Sequence, residues 1–200
     1  MSMEKMPVKN SAAFDKKKAS SQPIEESKAS RVSIQIVDYD QQWPMLFQRE
    51  ADRVQAVLGP ELMLMEHVGS TSVPGLPAKP IIDLVIAVAD SADEERYAAK
   101  LASGGYILHV REPNWHEHRM FKGPDTDVNL HVFSRGCPEI GRMLMFRDWL
   151  RRNAADRDYY ARTKLRLARK TWGTVQDYAD AKTGVVEEIM QRAVAGFGSL

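Results

Sequence analysis

Hydrophobic positions change their period along the chain, and the changes mark out elements. Residues 32–37, Val-Ser-Ile-Gln-Ile-Val, alternate apolar and polar side chains and predict a strand. Trp43 and Pro44 open a helix, with proline at a tolerated first-turn position. Leu46, Phe47, Ala51, Val54 and Leu58 recur at helical spacing as far as Gly59. Residues 62–68 form an apolar run expected as a strand. Residues 81–88 are almost continuously aliphatic, the pattern of a buried central strand. Ser91 with Glu94 three positions on has the capping-box spacing and predicts a helix running to Gly104-Gly105. Residues 106–110, 119–121 and 128–133 are the remaining strands. In the last, Val128, Leu130 and Val132 share one face, and Asn129 and His131 the other. From Pro138 onward the pattern is helical, with an apolar stripe of Ile140, Leu144, Met145 and Leu150. Two further helices follow, over 159–172 and 175–194. A mixed α/β half followed by a helical half is the order of an α+β protein.

Residues 1–30 follow neither period. They are rich in Ser, Lys, Ala and Glu and include Lys16-Lys17-Lys18, which predicts a disordered tail ahead of one folded domain at 31–200. With 200 residues, 44% of them hydrophobic, the chain can bury a sizeable core. One cysteine, Cys137, excludes a disulfide framework within a monomer and a cysteine-rich zinc module. No apolar run approaches the ~20 residues of a membrane helix, and no secretory leader pattern opens the chain. The expected compartment is the cytoplasm, with no membrane partner.

The net charge of +1 excludes a globally basic nucleic-acid binder. It hides an asymmetry: +2 over residues 1–30, −6 over 31–139 and +5 over 140–200. Nine basic residues stand against three acids between 146 and 170. Helical spacing gathers Arg162, Arg166, Arg169 and Lys170. They suit a phosphate backbone, so RNA is one candidate partner; a solvated face pairing with the acidic half is the other reading.

The chemistry concentrates in residues 67–83, His-Val-Gly-Ser-Thr-Ser-Val-Pro-Gly-Leu-Pro-Ala-Lys-Pro-Ile-Ile-Asp. A loop of small residues exposes backbone N–H groups and lets a phosphate approach. Gly69, Ser70 and Thr71 are the candidate phosphate contacts, and Lys79 and Arg119 the candidate charge partners. Asp83 stands inside an apolar strand, where a carboxylate needs a partner or a cation. The spacing fits neither the Walker pattern nor the dinucleotide fingerprint. His67 lies beside the loop, and His131 on a strand that could neighbour Asp83. They could serve as ligand contacts, as an acid/base pair or as metal ligands. His116 and His118 alternate and would share a strand face; a surface position is the favoured reading for them.

This segment resembles the GrpB family, within the nucleotidyltransferase-like superfamily. The resemblance rests on Glu66-His67-Val68-Gly69-Ser70-Thr71, Val73-Pro74-Gly75-Leu76, Ala78-Lys79-Pro80-Ile81-Ile82-Asp83, Leu130-His131-Val132, Phe146-Arg147-Asp148, Tyr160, Lys164 and Ala181-Lys182-Thr183, and it runs from about residue 36 to 193. It implies a nucleotidyltransferase-like mixed β-sheet packed with helices, and a nucleotide or phosphorylated small molecule as ligand. It implies Asp83 as catalytic carboxylate and magnesium ligand, His131 as ligand contact or base, Lys164 and Lys182 as anion contacts, and Glu66 and His67 in the same pocket. A two-metal transferase needs a second carboxylate two residues after Asp83, where this chain has Val85. Two alternatives stay open: a regulatory protein keeping the scaffold without chemistry, and RNA binding by the arginine-rich helices.

Overall fold

The computed structural model describes residues 22–23 and 32–197. In chain order the elements are β1 (Gln22–Pro23), β2 (Val32–Ser33), α1 (Trp43–Leu58), β3 (Leu64–Val68), β4 (Ile82–Val88), α2 (Ala98–Ser103), β5 (Ile107–Glu112), β6 (His118–Lys122) and β7 (Val128–Ser134). Then come α3 (Pro138–Arg152), α4 (Ala154–Ala168), β8 (Thr171–Trp172), α5 (Val175–Asp180) and α6 (Thr183–Phe197). The expected tail lies outside the described residues, apart from Gln22–Pro23, whose backbone pairs antiparallel with Arg111 and Val110.

Six strands make one mixed sheet in the order β1-β5-β6-β7-β4-β3. The β4–β7 pair is parallel and its neighbours antiparallel, so the fold is α+β as the element order predicts. Parallel pairing sets Asp83 beside Asn129 and Val85 beside His131. Because side chains alternate across a strand, the sheet has two unlike faces. On one face Ile82, Leu84, Ile86, Val128, Leu130 and Val132 pack against α1 and α2 in the main core. The other face carries Asp83, Asn129 and His131, with an apolar end where Val68, Val85, Ala87 and Phe133 meet Ile140 of α3.

The helical half has its own core, and the small-residue loop enters it. Val73 and Leu76 are buried with Leu150, Tyr160, Val185 and Ile189. No described helix is long and apolar enough to cross a membrane.

Four predicted elements form differently. The strand expected at 32–37 is reduced to Val32–Ser33 paired with β8, plus one bridge between Val37 and Ala78. The capping box does not form. The Ser91 hydroxyl meets Ser134 Oγ at 3.0 Å, and the Glu94 carboxylate takes Arg111 and Arg119 instead. The chain makes a single 3-10 turn at Glu94–Arg96, and α2 begins only at Ala98. The helix expected at 159–172 starts earlier, at Ala154 under an Asn153 cap, and stops at Ala168. The one expected at 175–194 breaks into α5 and α6, and Lys182 stands in the break.

Candidate functional site

The polar face of the sheet is built around Asp83, whose side chain is 26% exposed. Asn129, its register partner, donates from Nδ2 to Asp83 Oδ1 at 2.7 Å, and Lys122 donates to Asn129 Oδ1 at 2.6 Å. His131 Nε2 lies 4.0 Å from the same carboxylate oxygen. Burial alone would raise the Asp83 pKa. The His131 ring, the Asn129 amide and the Lys79 charge overcome it and hold the carboxyl below its usual value.

Behind His131 runs a second histidine. His118 Nε2 meets His131 Nδ1 at 3.0 Å, and His118 Nδ1 meets Glu112 Oε2 at 2.8 Å. The Glu112 carboxylate accepts only, so His118 carries its proton on Nδ1 and offers Nε2 as an acceptor. His131 then donates from Nδ1, which leaves its Nε2 lone pair, or a second proton, facing Asp83. The His118 ring stacks on His131 and Phe133 and is buried; burial, opposed by Glu112, pushes its pKa down and keeps it neutral. This corrects the surface reading of His118. His116 does not share its face: it is exposed, in a turn with φ of 55°.

The loop closes over this face. Gly69 has φ of 68°, and a Cβ there would stand 2.2 Å from Asp83 Oδ2, so only glycine lets the backbone approach the carboxylate. Ser70 follows at the start of a 3-10 turn and interacts with the Tyr160 hydroxyl, whose pKa burial pushes up to about 12. The Asp83 charge also reaches Lys79, Lys164 and Lys182. Lys164 is 2% exposed, donates to the Pro77 carbonyl and lies 4.8 Å from the Tyr160 ring centroid. Burial first, then the neighbouring Lys182, lowers its pKa to about 7. Lys182 and Lys79 lie over the Tyr178 ring, at 4.8 and 5.8 Å from its centroid. A cavity of about 180 Å³ opens beside Lys182, between Arg142, Tyr160, Thr183 and Glu187, with Ala179 and Val186 completing its lining.

The structure thus brings Asp83, His131, Gly69, Ser70, Lys79, Lys164 and Lys182 together. It does not bring Arg119, which projects from the opposite face of β6 and is bound by Glu94 at 2.6 Å. Thr71 is also committed: its hydroxyl meets His67 Nε2 at 3.1 Å and donates to the Ile81 carbonyl. His67 pairs with Leu84, turns to the core face and stacks on Phe47 at 4.7 Å, away from His131. Glu66 is on the polar face, but Arg147 holds it at 2.7 Å.

The donor set does not match a two-magnesium centre. Val85 is fully buried in an apolar cluster, and Asp83 Oδ1 already faces the Asn129 amide and His131. The charges ranged around Asp83 are ammonium groups, where magnesium would want oxygens. Among the described residues no group of three or more His, Cys, Asp and Glu could hold a metal ion.

Sequence reasoning missed Glu112, Lys122 and Tyr178 and placed His118 on the surface. Alternation alone places Lys122, Met120 and His118 on one face of β6, but only the β6–β7 register tells that this face is the one bearing His131.

A family model described as GrpB protein matches residues 33–192. The UPF0157 protein BH1888 of Halalkalibacterium halodurans is 59% identical over 172 residues, covering 86% of this chain and 88% of that protein. The UPF0157 protein SCO7215 of Streptomyces coelicolor is 44% identical, covering 82% and 86%. The crystal structure of conserved protein GrpB from Enterococcus faecalis is similar with a TM-score of 0.71 at 27% identity, covering 82% of this chain and 99% of that one.

Proposed function

This chain belongs to the GrpB family, and from that premise we propose that it binds a nucleotide or other phosphorylated ligand at the Asp83 pocket and transfers a nucleotidyl or phosphoryl group there. The observation that carries the reading is the meeting of one carboxylate, one histidine, a glycine-opened loop and three lysines in a single place. Lysines are point charges suited to phosphate oxygens, and the Ser70 hydroxyl adds a donor. His131 is the group that moves a proton. Its Nδ1 is fixed by His118, so only Nε2 is left to take a proton from, or return one to, a hydroxyl of the bound ligand.

Isothermal titration with ATP and the other nucleoside triphosphates tests the binding. Saturable binding that weakens when Lys182 becomes Gln is expected; no binding at millimolar ligand would sink the proposal. A transferred product that disappears in Asp83→Asn tests the chemistry.

The buried Val85 favours a second reading, a regulatory protein that binds the same ligand without transforming it. Binding without any product, in the wild-type protein, selects that reading.

A further inference from the structure

Among the described residues, more positive than negative charge gathers beside Asp83. For Lys164 and Lys182, Asp83 is the carboxylate that favours their charged forms, and burial opposes both. Lys79 and Lys164 each feel the repulsion of Lys182. Lys79 also feels Asp127, but Lys122 joins it from the other side, so four ammonium groups meet two carboxylates around this half-buried place, an arrangement that costs free energy until an anion joins it. Among the described residues Lys164 meets the Pro77 carbonyl and the Tyr160 ring, and neither is charged.

A second, independent observation points the same way. The Tyr178 hydroxyl is buried and, among the described residues, has no hydrogen-bond partner. Buried hydroxyls are almost always paired, so an orphan marks where a missing acceptor belongs. Its ring is the one over which Lys79 and Lys182 lie, and its hydroxyl is near enough to Tyr160 for the two to influence each other. The cavity that opens onto Tyr160 and Lys182, with Arg142 and Glu187 also in its lining, is about 180 Å³. Pockets for drug-sized molecules run from about 300 Å³ upward, so this one suits a compact group.

We propose that the site binds its anion without a divalent cation. Lys79, Lys164 and Lys182 supply the counter-charge, the Tyr178 hydroxyl supplies a donor, and the group they hold is a compact polyanion of the pyrophosphate kind. The inference rests on the phosphorylated-ligand reading and adds to it that lysines stand where superfamily resemblance would put magnesium.

The test is isothermal titration of the full chain with inorganic pyrophosphate and with ATP, in EDTA and in magnesium buffer. Pyrophosphate should bind in EDTA at least as tightly as in magnesium, because the free cation competes with the lysines for the same oxygens. Lys182→Gln should weaken it by roughly tenfold or more, and the isosteric Tyr178→Phe by about two- to tenfold. Circular dichroism on both variants separates loss of the site from loss of the fold. Pyrophosphate binding that appears only with magnesium overturns this proposal and leaves the ligand reading standing. Unchanged affinity in both folded variants overturns the lysine cluster as the site. Absence of binding by pyrophosphate and ATP in either buffer overturns both readings together.

Discussion

A single side chain, His67, illustrates how a residue beside a loop can be structural. Its ring is 7% exposed, stacked on Phe47 and hydrogen-bonded to Thr71, and burial lowers its pKa to about 4. The unfolded chain would titrate it near 6.5. As pH falls through that window, the unfolded state takes up the proton first, so folding stability declines from pH 6.5 to about 4 and then levels. Urea unfolding at pH 7 and pH 4.5 should reveal this loss, up to about 3 kcal/mol in wild type. His67→Gln keeps a donor for Thr71 and should lack that share of the pH dependence. A slope unchanged in the variant would mean that His67 is not the group responsible. His118 is the opposite case, since a residue that looked external belongs to the site. Its neighbours His131 and Glu112 come from other strands, and nothing in the local sequence announces them.

Elements matter here through where they are fastened. Arg147 and Arg151, counted in the sequence among nine helical cations, do not form a free basic surface. Arg147 binds Glu66, the His67 carbonyl and Asp148, and Arg151 makes two bonds to the Ser72 carbonyl. Helix α3 therefore grips the start of the loop that covers Asp83, from the end of β3 to Ser72. Arg151→Ala should cost about 1–3 kcal/mol in stability and weaken ligand binding. A variant as stable as wild type with unchanged affinity would remove this role. The break between α5 and α6 is a second such device, because an unbroken helix would not leave Lys182 at the junction facing the site. Helix α1, the main strands and the polar face of β7 were all legible from hydrophobic period. The break at Lys182 and the failed capping box were not. Ser91 and Glu94 found distant partners in Ser134, Arg111 and Arg119, and a local pattern cannot see those.

At the scale of the molecule, element order predicted α+β correctly, and motifs spread from about residue 36 to 193, densest over 66–83, carried the family, whose model matches residues 33–192. What sequence could not supply was pairing. The β4–β7 register decides that Asn129 and His131 flank Asp83, and the face of β6 decides that Arg119 does not. The charge asymmetry also changed meaning. The exposed cations Arg162 and Arg166 of α4 and Arg169 and Lys170 just beyond it remain on the surface, while Lys164 of α4 turns inward. The positive half thus contributes to the pocket through buried Lys164 and half-buried Lys182, and its arginine count says little about ligand.

The burial of Val73 and Leu76 in the helical core has a consequence for how the protein opens. A loop hung on a sheet edge would breathe independently, and its amides would exchange with solvent in local fluctuations. This one is anchored in the second core, so it belongs to the same cooperative unit as α3, α4 and α6. The amides of Val73 and Leu76, which donate to the Ser70 and Val73 carbonyls, should exchange with deuterium no faster than those of the surrounding helices. Exchange of these amides well ahead of the helices would show the loop to be a separate unit. If they exchange together, the pocket around Asp83 has no half-formed state: it exists whole or the helical core has come apart.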